Sequence, residues 1–427
     1  MNRNYEFLIV GSGAGGSTVA YELSKRGKSV LVIEKGKREN KIGTFKDCLR
    51  YFNVTMLKTP TKSKEGVILW RTFMAGGTTV VSCANGVRCL EKELTDLGVT
   101  LNEEFTEAEK EMHISPISQG LLSEGSQTIM NAAKDLGYQM EPMPKFIDSA
   151  KCRKCGQCVL GCTSGAKWTA NDYLDEAAKK GAEIMFNTQV QQVLVTNGKA
   201  KGVSIKGPQG HKEIMANTVI IAAGGLGTPV ILQRSGIKEA GTGLFVDLLV
   251  NTYGVTSGLN QVHEPSMALV DHEFYKSKGF ILSPFIQGPK MVRLFELGPK
   301  GATLSVNKLV GMMTKIVDEP AGRVYADGTV SKPVTERDWA RLKEGSSISK
   351  EILVKAGADS RSIMVSKPQG GHPGGTAAIG KIVDKNLQTK IDNLFVCDAS
   401  VLPTAPGLPP ILTIVSLAKR LAKVLAP

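Results

Sequence analysis

The stretch FLIVGSGAGGSTVAYELSKRGKSVLVIE, residues 7–34, decides the fold. An apolar strand at 7–10 leads into a glycine-rich loop, a helical pattern follows to residue 25, and a second apolar strand at 29–33 ends at Glu34. Strand, glycine loop, helix, strand and acidic residue in this order make up a dinucleotide-binding unit. The stretch therefore predicts an α/β fold that begins with a Rossmann-like domain for FAD or NAD.

The glycine loop has the residue types that a bound pyrophosphate requires. Gly11 permits a tight turn, Gly13 lets the backbone approach the phosphates, and Gly16 lets the helix pack closely on the strand. Ala14 follows at the start of the helix, whose free N–H groups and positive dipole end attract phosphate. Glu34 stands 18 residues after Gly16, where a carboxylate can accept hydrogen bonds from an adenosine ribose.

Later segments favour FAD over NAD. The stretch AGGTTVV at 75–81 is a second glycine turn, in which Gly76, Gly77 and Thr78 let backbone N–H groups crowd a phosphate or a flat ring. A third turn, at Gly224, follows the apolar strand of NTVIIAAGGLGTPV.

The C-terminal segment completes this pattern. The strand in NLFVCDAS, 393–400, delivers Asp398 into a proline-rich loop. A helix then begins at Pro410 and Ile411, since proline is tolerated in the first helical turn. Its positive end can face the electron-rich pyrimidine side of a reduced flavin.

Together these segments resemble the glucose–methanol–choline (GMC) family of flavoprotein oxidoreductases. The matching stretches are GSGAGG with Glu34, GGTTVV, GGLGTPVILQRSGI, GGHPGGTAAIG and NLFVCDASVLPT with the following LTIVSLAKRLA. They span most of the chain and are thin between residues 240 and 360. The resemblance implies FAD as the cofactor, with Val190 among the residues that hold it beside the glycine turns.

The resemblance also implies a C-terminal histidine that faces the flavin and handles a substrate proton. The matching residue is His372 in GGHPGGT, although a lone histidine is also compatible with a structural hydrogen bond. The family's usual Asn or His partner falls on Pro409, and proline can act neither as a donor nor as a base. His263, in NQVHEPSM, is a candidate for the missing partner.

Four of the eight cysteines fall in CRKCGQCVLGC, residues 152–162. Cys152, Cys155, Cys158 and Cys162 have the C-x2-C-x2-C-x3-C spacing of bacterial ferredoxins, which predicts a [4Fe–4S] cluster. Ferredoxins continue with a proline, whereas Thr163 follows here and no second motif is present, so the fourth ligand is Cys162 or a distant thiol. The distant candidates are Cys48, Cys83, Cys89 and Cys397.

Two other interpretations of the cysteines stay open. Structural zinc is one, although its ligands usually come in two pairs separated by a longer loop. Packed thiols without metal are the other, because the stretch is also similar to the GMC subgroup that includes long-chain alcohol oxidases. The neighbouring Lys151, Arg153, Lys154 and Lys167 either keep the surface soluble or offset a cluster's negative charge and dock an acidic electron carrier.

Charge and hydropathy limit the partners. The net charge is +13, but the basic residues are scattered, so we expect no nucleic-acid partner. No apolar run reaches the roughly 18–20 residues of a membrane helix. The N-terminus enters a strand without room for a signal peptide, which predicts a cytoplasmic location. A homo- or hetero-oligomer is compatible with the sequence.

The domain order is predicted to be interleaved. The Rossmann-like FAD-binding domain would comprise 1–95, 150–240 with the cysteine segment, and 370–427 with the catalytic loop. An α+β substrate domain built on an antiparallel sheet would comprise 96–149 and 241–369, with strands at 279–287, 291–298 and 309–319.

The favoured function is that of an FAD-dependent dehydrogenase that oxidises the CH–OH group of an alcohol; the apolar, methionine-containing strands at 280–316 are compatible with a lipid-like substrate and equally with an ordinary core. The electrons would leave through the iron–sulfur cluster to ferredoxin or to a partner redox subunit, because such a cluster passes electrons singly. Two alternatives are a ferredoxin-driven reductase of a carbonyl or C=C bond, and an electron-transfer subunit without a substrate of its own.

Overall fold

A computed structural model describes residues 5–52, 61–208, 210–287, 291–292, 296–297 and 308–427. Two large β-sheets organise these residues, and each has its own buried apolar core. The α-helices are α1 Ala14–Lys25, α2 Phe45–Tyr51, α3 Glu91–Asp96, α4 Asn102–Glu111, α5 Glu124–Asp135, α6 Ala170–Lys179, α7 Gly224–Arg234, α8 Glu273–Lys278, α9 Glu336–Lys355 and α10 Ile411–Leu425.

The strands of the first sheet come from both ends and the middle of the chain. They are β1 Tyr5–Val10, β2 Val30–Ile33, β7 Glu183–Met185, β8 Gln189–Thr196, β9 Lys199–Gly207, β10 Gly210–Ile221 and β20 Leu394–Val396. Their order is β7-β2-β1-β10-β9-β8, and β20 pairs with β10. The pairs β7–β2, β2–β1, β1–β10 and β10–β20 are parallel, as in a Rossmann-like sheet.

The decisive stretch at 7–34 folds as its pattern predicts. The two strands are almost wholly apolar and buried, as expected for parallel strands with both faces covered. The helix α1 begins directly after Gly13 and ends at Lys25. It buries Val19, Ala20 and Leu23 completely. The prediction of a Rossmann-like unit is thus confirmed.

The second sheet is built mainly from the later part of the chain. Its strands are β3 Ile68–Leu69, β12 Leu248–Val255, β14 Phe280–Pro284, β15 Leu309–Ile316, β18 Met364–Val365 and β19 Gln369–Gly370. The order is β14-β15-β12-β19-β3, with β18 also on β12, and all pairs except β19–β3 are antiparallel. Two of the predicted strands are found here, while the one at 291–298 lies largely outside the described residues.

Short strands make up the remaining sheets. They are β4 Ser115–Pro116 with β6 Pro144–Lys145, β5 Glu141–Pro142 with β13 Leu269–Val270, and β11 Thr242–Leu244 with β16 Gly322–Val324 and β17 Val330–Ser331. Short 3-10 turns occur at Gly77–Val81, Gln119–Leu121, Cys158–Leu160, Ser360–Ser362 and Ala399–Val401.

One long helix covers one face of the second sheet. A single helix, α9, forms within the stretch 335–358 and is capped by Thr335. Thr314 of β15 faces this helix, since its Oγ1 lies 3.3 Å from Oγ of Ser349. Side chains alternate along a strand, so Met313 and Lys315 point to the opposite face. That face is the one that meets the first sheet.

Within the described ranges, every helix is too short or too polar to cross a membrane.

The close contact of α1 with the C-terminal strand gives a stability test. A Cβ atom on Gly15 would lie 1.8 Å from the carbonyl oxygen of Cys397. Gly15→Ala should therefore lower the free energy of unfolding by about 1–3 kcal/mol, as overpacking does. Chemical denaturation measures it.

Gly120→Ala is the matched control, because its added Cβ would meet nothing closer than 3.8 Å. Equal stability of Gly15→Ala and Gly120→Ala would contradict this packing.

Candidate active site

A cavity of about 610 Å³ lies where the two sheets meet. Residues from the ends of β1 and β2 line it on one side, and residues of β12, β15 and β19 line it on the other. Most of the residues predicted to hold a cofactor line this cavity: Gly11, Gly13, Ala14, Glu34, Gly77, Thr78, Val190, Gly224, Asp398, Pro410 and Ile411. The structure thus brings together segments that are far apart in the sequence.

The first glycine loop leaves room for a ligand at one position. A Cβ on Gly13 would meet no protein atom within 4 Å, and Gly13 lines the cavity. By contrast, a Cβ on Gly16 would lie 2.0 Å from the carbonyl oxygen of Gly11, which itself has a φ of +100°. Gly16 lies behind the lining and serves packing, whereas Gly13 faces open space.

Glu34 ties the two glycine turns to the end of β2. Its Oε2 accepts hydrogen bonds from the backbone N–H and the hydroxyl of Ser12, at 2.9 and 2.8 Å. Its Oε1 accepts from the N–H of Gly36 at 2.7 Å, and the Ser12 hydroxyl in turn accepts from the N–H of Gly76 at 3.3 Å. Gly76 thus supports the loop from outside the lining. The contact of Glu34 with a ribose stays a prediction.

Asp398 likewise ties two segments of the chain together, the turn at Gly224 and the loop that follows β20. Its Oδ2 accepts from the N–H of Gly224 at 2.8 Å and from the hydroxyl of Thr228, and its Oδ1 accepts from the N–H of Ser400 at 2.7 Å. Burial raises the pKa of Asp398, and these donors oppose that rise. The helix α10 begins beside it at Ile411, with Pro410 as its N-cap residue.

His372 is paired with a carboxylate that the sequence did not reveal. Its Nδ1 lies 2.9 Å from Oδ2 of Asp247, and Asp247 is completely buried. An ionised carboxylate can only accept, so Nδ1 carries the proton and Nε2 is left as the basic nitrogen. Of the His372 side chain 27% is accessible, and this residue lines the cavity.

Opposing effects act on the pKa of His372. Burial has the largest effect and lowers the pKa of His372. The charge of Lys315 lowers this pKa further, while the hydrogen bond and the charge of Asp247 raise it. The net shift is downward from the ordinary value of 6.5, so the imidazole is neutral at pH 7. A neutral imidazole with a free Nε2 can accept a proton.

Buried hydrogen bonds hold the turn that carries Asp247. Asp247 has a φ of +49°, an uncommon conformation for a residue other than glycine. The carboxylate of buried Asp318 accepts from the N–H groups on either side of it, Val246 at 3.1 Å and Leu248 at 3.3 Å. Lys332, also buried, lies 3.0 Å from Asp318, and burial raises the pKa of Asp318 to about 7.

The backbone brings His372 to this turn. The N–H of His372 donates to the carbonyl of Val246 at 2.9 Å, and Phe245 and Gly374 exchange two further hydrogen bonds. The second oxygen of Asp247 accepts from the N–H of Gly407 at 2.9 Å, in the loop before α10. Three separate segments therefore fix the position of the Asp247–His372 pair.

The wall of the cavity on the second sheet is mainly apolar, and its polar residues are Lys315, Gln369 and Gln287. Its apolar members are Leu249, Met267, Phe285, Met291 and Met313, with Cys83 beside them. Lys315 lies in the same wall and is 1% exposed.

Neither Pro409 nor His263 supplies a polar partner for His372. Pro409 lines the cavity, where it offers no polar side chain. His263 is exposed and does not line the cavity, so it does not replace the missing partner. The groups near His372 are Asp247 and Lys315 instead.

The cysteine stretch does not form a metal site in the structure. Cys155 is exposed, and Cys152, Cys158 and Cys162 are partly buried. In the part of the chain that the structure describes, no three His, Cys, Asp or Glu side chains form a group able to hold a metal ion. The predictions of an iron–sulfur cluster or zinc are therefore not supported.

A buried lysine holds the cysteine stretch in place. The Nζ of Lys167 donates to the carbonyls of Val80, Ser82 and Cys158, each at 2.8 Å. This corrects the interpretation of Lys167 as a solvated surface charge, since it is 5% exposed. It links the stretch to the loop after the second glycine turn, which lines the cavity.

The other thiols proposed as a fourth ligand are poorly suited to it. Burial raises the pKa of Cys48 and of Cys89 to about 12, that of Cys83 to about 11, and that of Cys397 still further. Metal ligation requires the thiolate, so these environments oppose it.

Comparison with known proteins identifies the family of the chain. Models of the family described as GMC oxidoreductase match residues 5–249 and 319–418. An uncharacterized protein of Methanocaldococcus jannaschii is 31% identical over 98% of this chain and 99% of its own length. A long-chain-alcohol oxidase of Arabidopsis thaliana is 25% identical over 96% of this chain and 66% of its own length.

Solved structures share the fold. Pyridoxine 4-oxidase from Mesorbium loti has a TM-score of 0.75 at 17% identity and covers 99% of both chains. Formate oxidase from Aspergillus oryzae RIB40 also has a TM-score of 0.75, at 16% identity, over 99% of this chain and 98% of its own. The two family matches, which together span most of the chain, show that the chain belongs to the GMC oxidoreductase family, whose cofactor is FAD.

Proposed function

We propose that the protein is an FAD-dependent oxidoreductase that oxidises the CH–OH group of an alcohol with an apolar body, and that His372 is its base. The observation that carries the proposal is the Asp247–His372 pair, which opens on a cavity shared by the glycine loop and an apolar wall. The long-chain-alcohol oxidase among the relatives supports an alcohol substrate.

The residues that line the cavity fit FAD. The open space over Gly13 and the N–H groups at the start of α1 suit a pyrophosphate. Glu34 and Asp398 hold the turns on which the cofactor would lie. When bound, FAD supplies the acceptor for the hydride that leaves the alcohol carbon. We accordingly assign the first sheet to the cofactor and the second sheet to the substrate.

His372 and Asp247 would handle the proton. Nε2 of His372 accepts the proton of the substrate hydroxyl, because Nδ1 is engaged by Asp247. The carboxylate of Asp247 then stabilises the imidazolium that forms. The hydrogen bonds that Asp318 accepts from Val246 and Leu248 keep that carboxylate in place. The same pair can return the proton if the reaction runs towards the alcohol.

The apolar wall indicates the kind of alcohol. Leu249, Met267, Phe285 and Met313 form a buried cluster at the second sheet, joined by Cys83 and Leu408. Apolar surface binds apolar substrate through its removal from water. Methionine side chains adapt to irregular shapes, which suits a flexible chain. A long-chain primary alcohol is therefore the first substrate to test.

Variants of the pair test this proposal by anaerobic reduction of the bound flavin with 1-dodecanol. His372→Asn should slow reduction by about 10²–10⁴-fold, as loss of a general base does. Asp247→Asn should slow it by about 100-fold or more, because the wrong imidazole tautomer is favoured. In the unmodified protein the rate should fall as the pH falls through a pKa below 6.5, since only neutral His372 accepts a proton.

His263→Asn is the matched control, because that histidine is exposed, and it should reduce flavin at the normal rate. Normal rates in His372→Asn with FAD still bound would contradict the proposal. Pyridoxine and formate belong in the same assay, as the substrates in the names of the structural neighbours.

The destination of the electrons is a separate proposal. On spacing alone, we propose that the four cysteines take up an iron–sulfur cluster and pass electrons to a ferredoxin-like carrier, which would make the enzyme a dehydrogenase. The buried amine of Lys167 lies within the stretch, where it donates to the carbonyl of Cys158, and it places a basic group beside the cysteines. The described thiols do not form a metal site in the structure, and transfer of the hydride and proton at the cavity does not depend on a cluster.

Anaerobic purification with iron and sulfide analysis tests this. The proposal predicts about four iron atoms per FAD, and their loss in Cys155→Ser. Ser149→Ala, an exposed residue shortly before the stretch, should keep the iron. A protein with flavin and no iron after reconstitution would overturn the proposal and leave oxygen as the acceptor to test.

A further inference from the structure

Lys315 differs from the other buried lysines that the structure describes. Lys145, Lys167, Lys332 and Lys419 each donate to backbone carbonyls or carboxylates. The Nζ of Lys315 is also buried, yet it has no hydrogen-bond partner among the described residues. A buried ammonium without a hydrogen-bond partner is strongly unfavourable. The presence of Lys315 at this position therefore points to a ligand that accepts hydrogen bonds from its Nζ.

The position of Lys315 shows where that ligand lies. It is the seventh residue of β15, paired in register with Leu249 of β12 and Ile281 of β14. Strand alternation places it on the same face as Met313, which lines the cavity with it. The lysine therefore projects from the apolar wall, where a substrate would bind, towards the side that carries His372.

The charges around Lys315 are few. Burial lowers its pKa, and the charge of Asp247 together with the thiols of Cys83 and Cys89 opposes the shift. Asp247 does not accept from Lys315 in the structure, where its two oxygens accept from His372 and Gly407 and the Nζ of Lys315 has no hydrogen-bond partner among the described residues. Lys315 is close enough to lower the pKa of His372, so both groups act on the same region of the cavity.

We propose that Lys315 is a catalytic residue that donates a hydrogen bond to the substrate oxygen, while His372 removes the proton from that oxygen. The proposal rests on the proposed function. The hydroxyl proton goes to Nε2 of His372, the carbinol hydrogen leaves with its electron pair to FAD, and the oxygen becomes a carbonyl. Lys315 keeps its own protons and stabilises the negative charge on oxygen during the transfer.

This role explains how the site works with a proline at position 409. The polar partner expected beside α10 is absent there, and the second sheet supplies a cation from the opposite wall. An oxygen held between Lys315 and His372 would also be oriented, since one group donates to it and the other accepts from it.

Anaerobic stopped-flow reduction by 1-dodecanol tests the role. Lys315→Met keeps the length of the side chain and removes the donor, and it should lower the limiting rate of flavin reduction about 100-fold or more. Lys315→Gln, which keeps N–H donors without charge, should lose less. Lys308→Met is the matched control, because Lys308 is an exposed lysine just before the same strand, and it should be unaffected. A normal limiting rate in Lys315→Met would overturn the proposal.

Two measurements test Lys315 without turnover. Dodecanoate, an anion with the same chain, should perturb the flavin spectrum on binding, and its affinity should fall at least tenfold in Lys315→Met but not in Lys308→Met. NMR titration, with His372→Asn to assign the signal, should show the pKa of His372 rising in Lys315→Met, because a neighbouring cation is lost.

These experiments distinguish the proposed function from the proposed role of Lys315. If no alcohol reduces the flavin of the unmodified protein while dodecanoate binding and the pKa of His372 respond to Lys315→Met, the proposed function fails and the anion-binding role of Lys315 stands. If alcohol is oxidised and neither measurement nor the limiting rate responds to Lys315→Met, the proposed function stands and the role of Lys315 is overturned.

Discussion

The hydrogen bond between Asp247 and His372 is the constraint on which the rest of the site depends. It joins the start of a strand in the second sheet to the loop that leaves the same sheet, and Gly407 ties both to the start of the C-terminal helix. It occurs with Asp247 at a positive φ, which is uncommon for residues other than glycine, and the buried Asp318–Lys332 pair holds this turn. Strain at a functional position is thus compensated by buried polar contacts behind it.

The first part of the fold could be predicted from local sequence. Strand, glycine loop, helix and strand follow one another within 7–34, so each element is specified by neighbours in the chain. Asn197 and Gly198 form an Asn-Gly pair, which is a local signal for a tight hairpin turn, and both residues have the positive φ that such a turn needs. His372 was found through its glycine-rich motif, and the structure places it at the cavity.

The partners of His372 could not be predicted in the same way. Asp247 is 125 residues away in the sequence and lies in an otherwise apolar stretch, FVDLLV, without a motif of its own. Lys315 carried a weaker signal, a single lysine inside the apolar strand LVGMMTKI, where a strand with two covered faces should have none. The cysteines show a different limit of sequence analysis. A regular spacing predicts a set of metal ligands, but it does not show that the four thiols lie close enough together to bind one metal site.

The central claim is that one cavity joins FAD to the CH–OH group of an alcohol with His372 beside it. Anaerobic reduction of the bound flavin by 1-dodecanol and by its 1,1-dideuterated form tests this most directly. The account predicts that 1-dodecanol bleaches the flavin and that the deuterated alcohol does so more slowly, because the carbinol C–H bond breaks in that step. Bleaching at the same rate by both alcohols, or no bleaching by 1-dodecanol or any other alcohol tested, would contradict it.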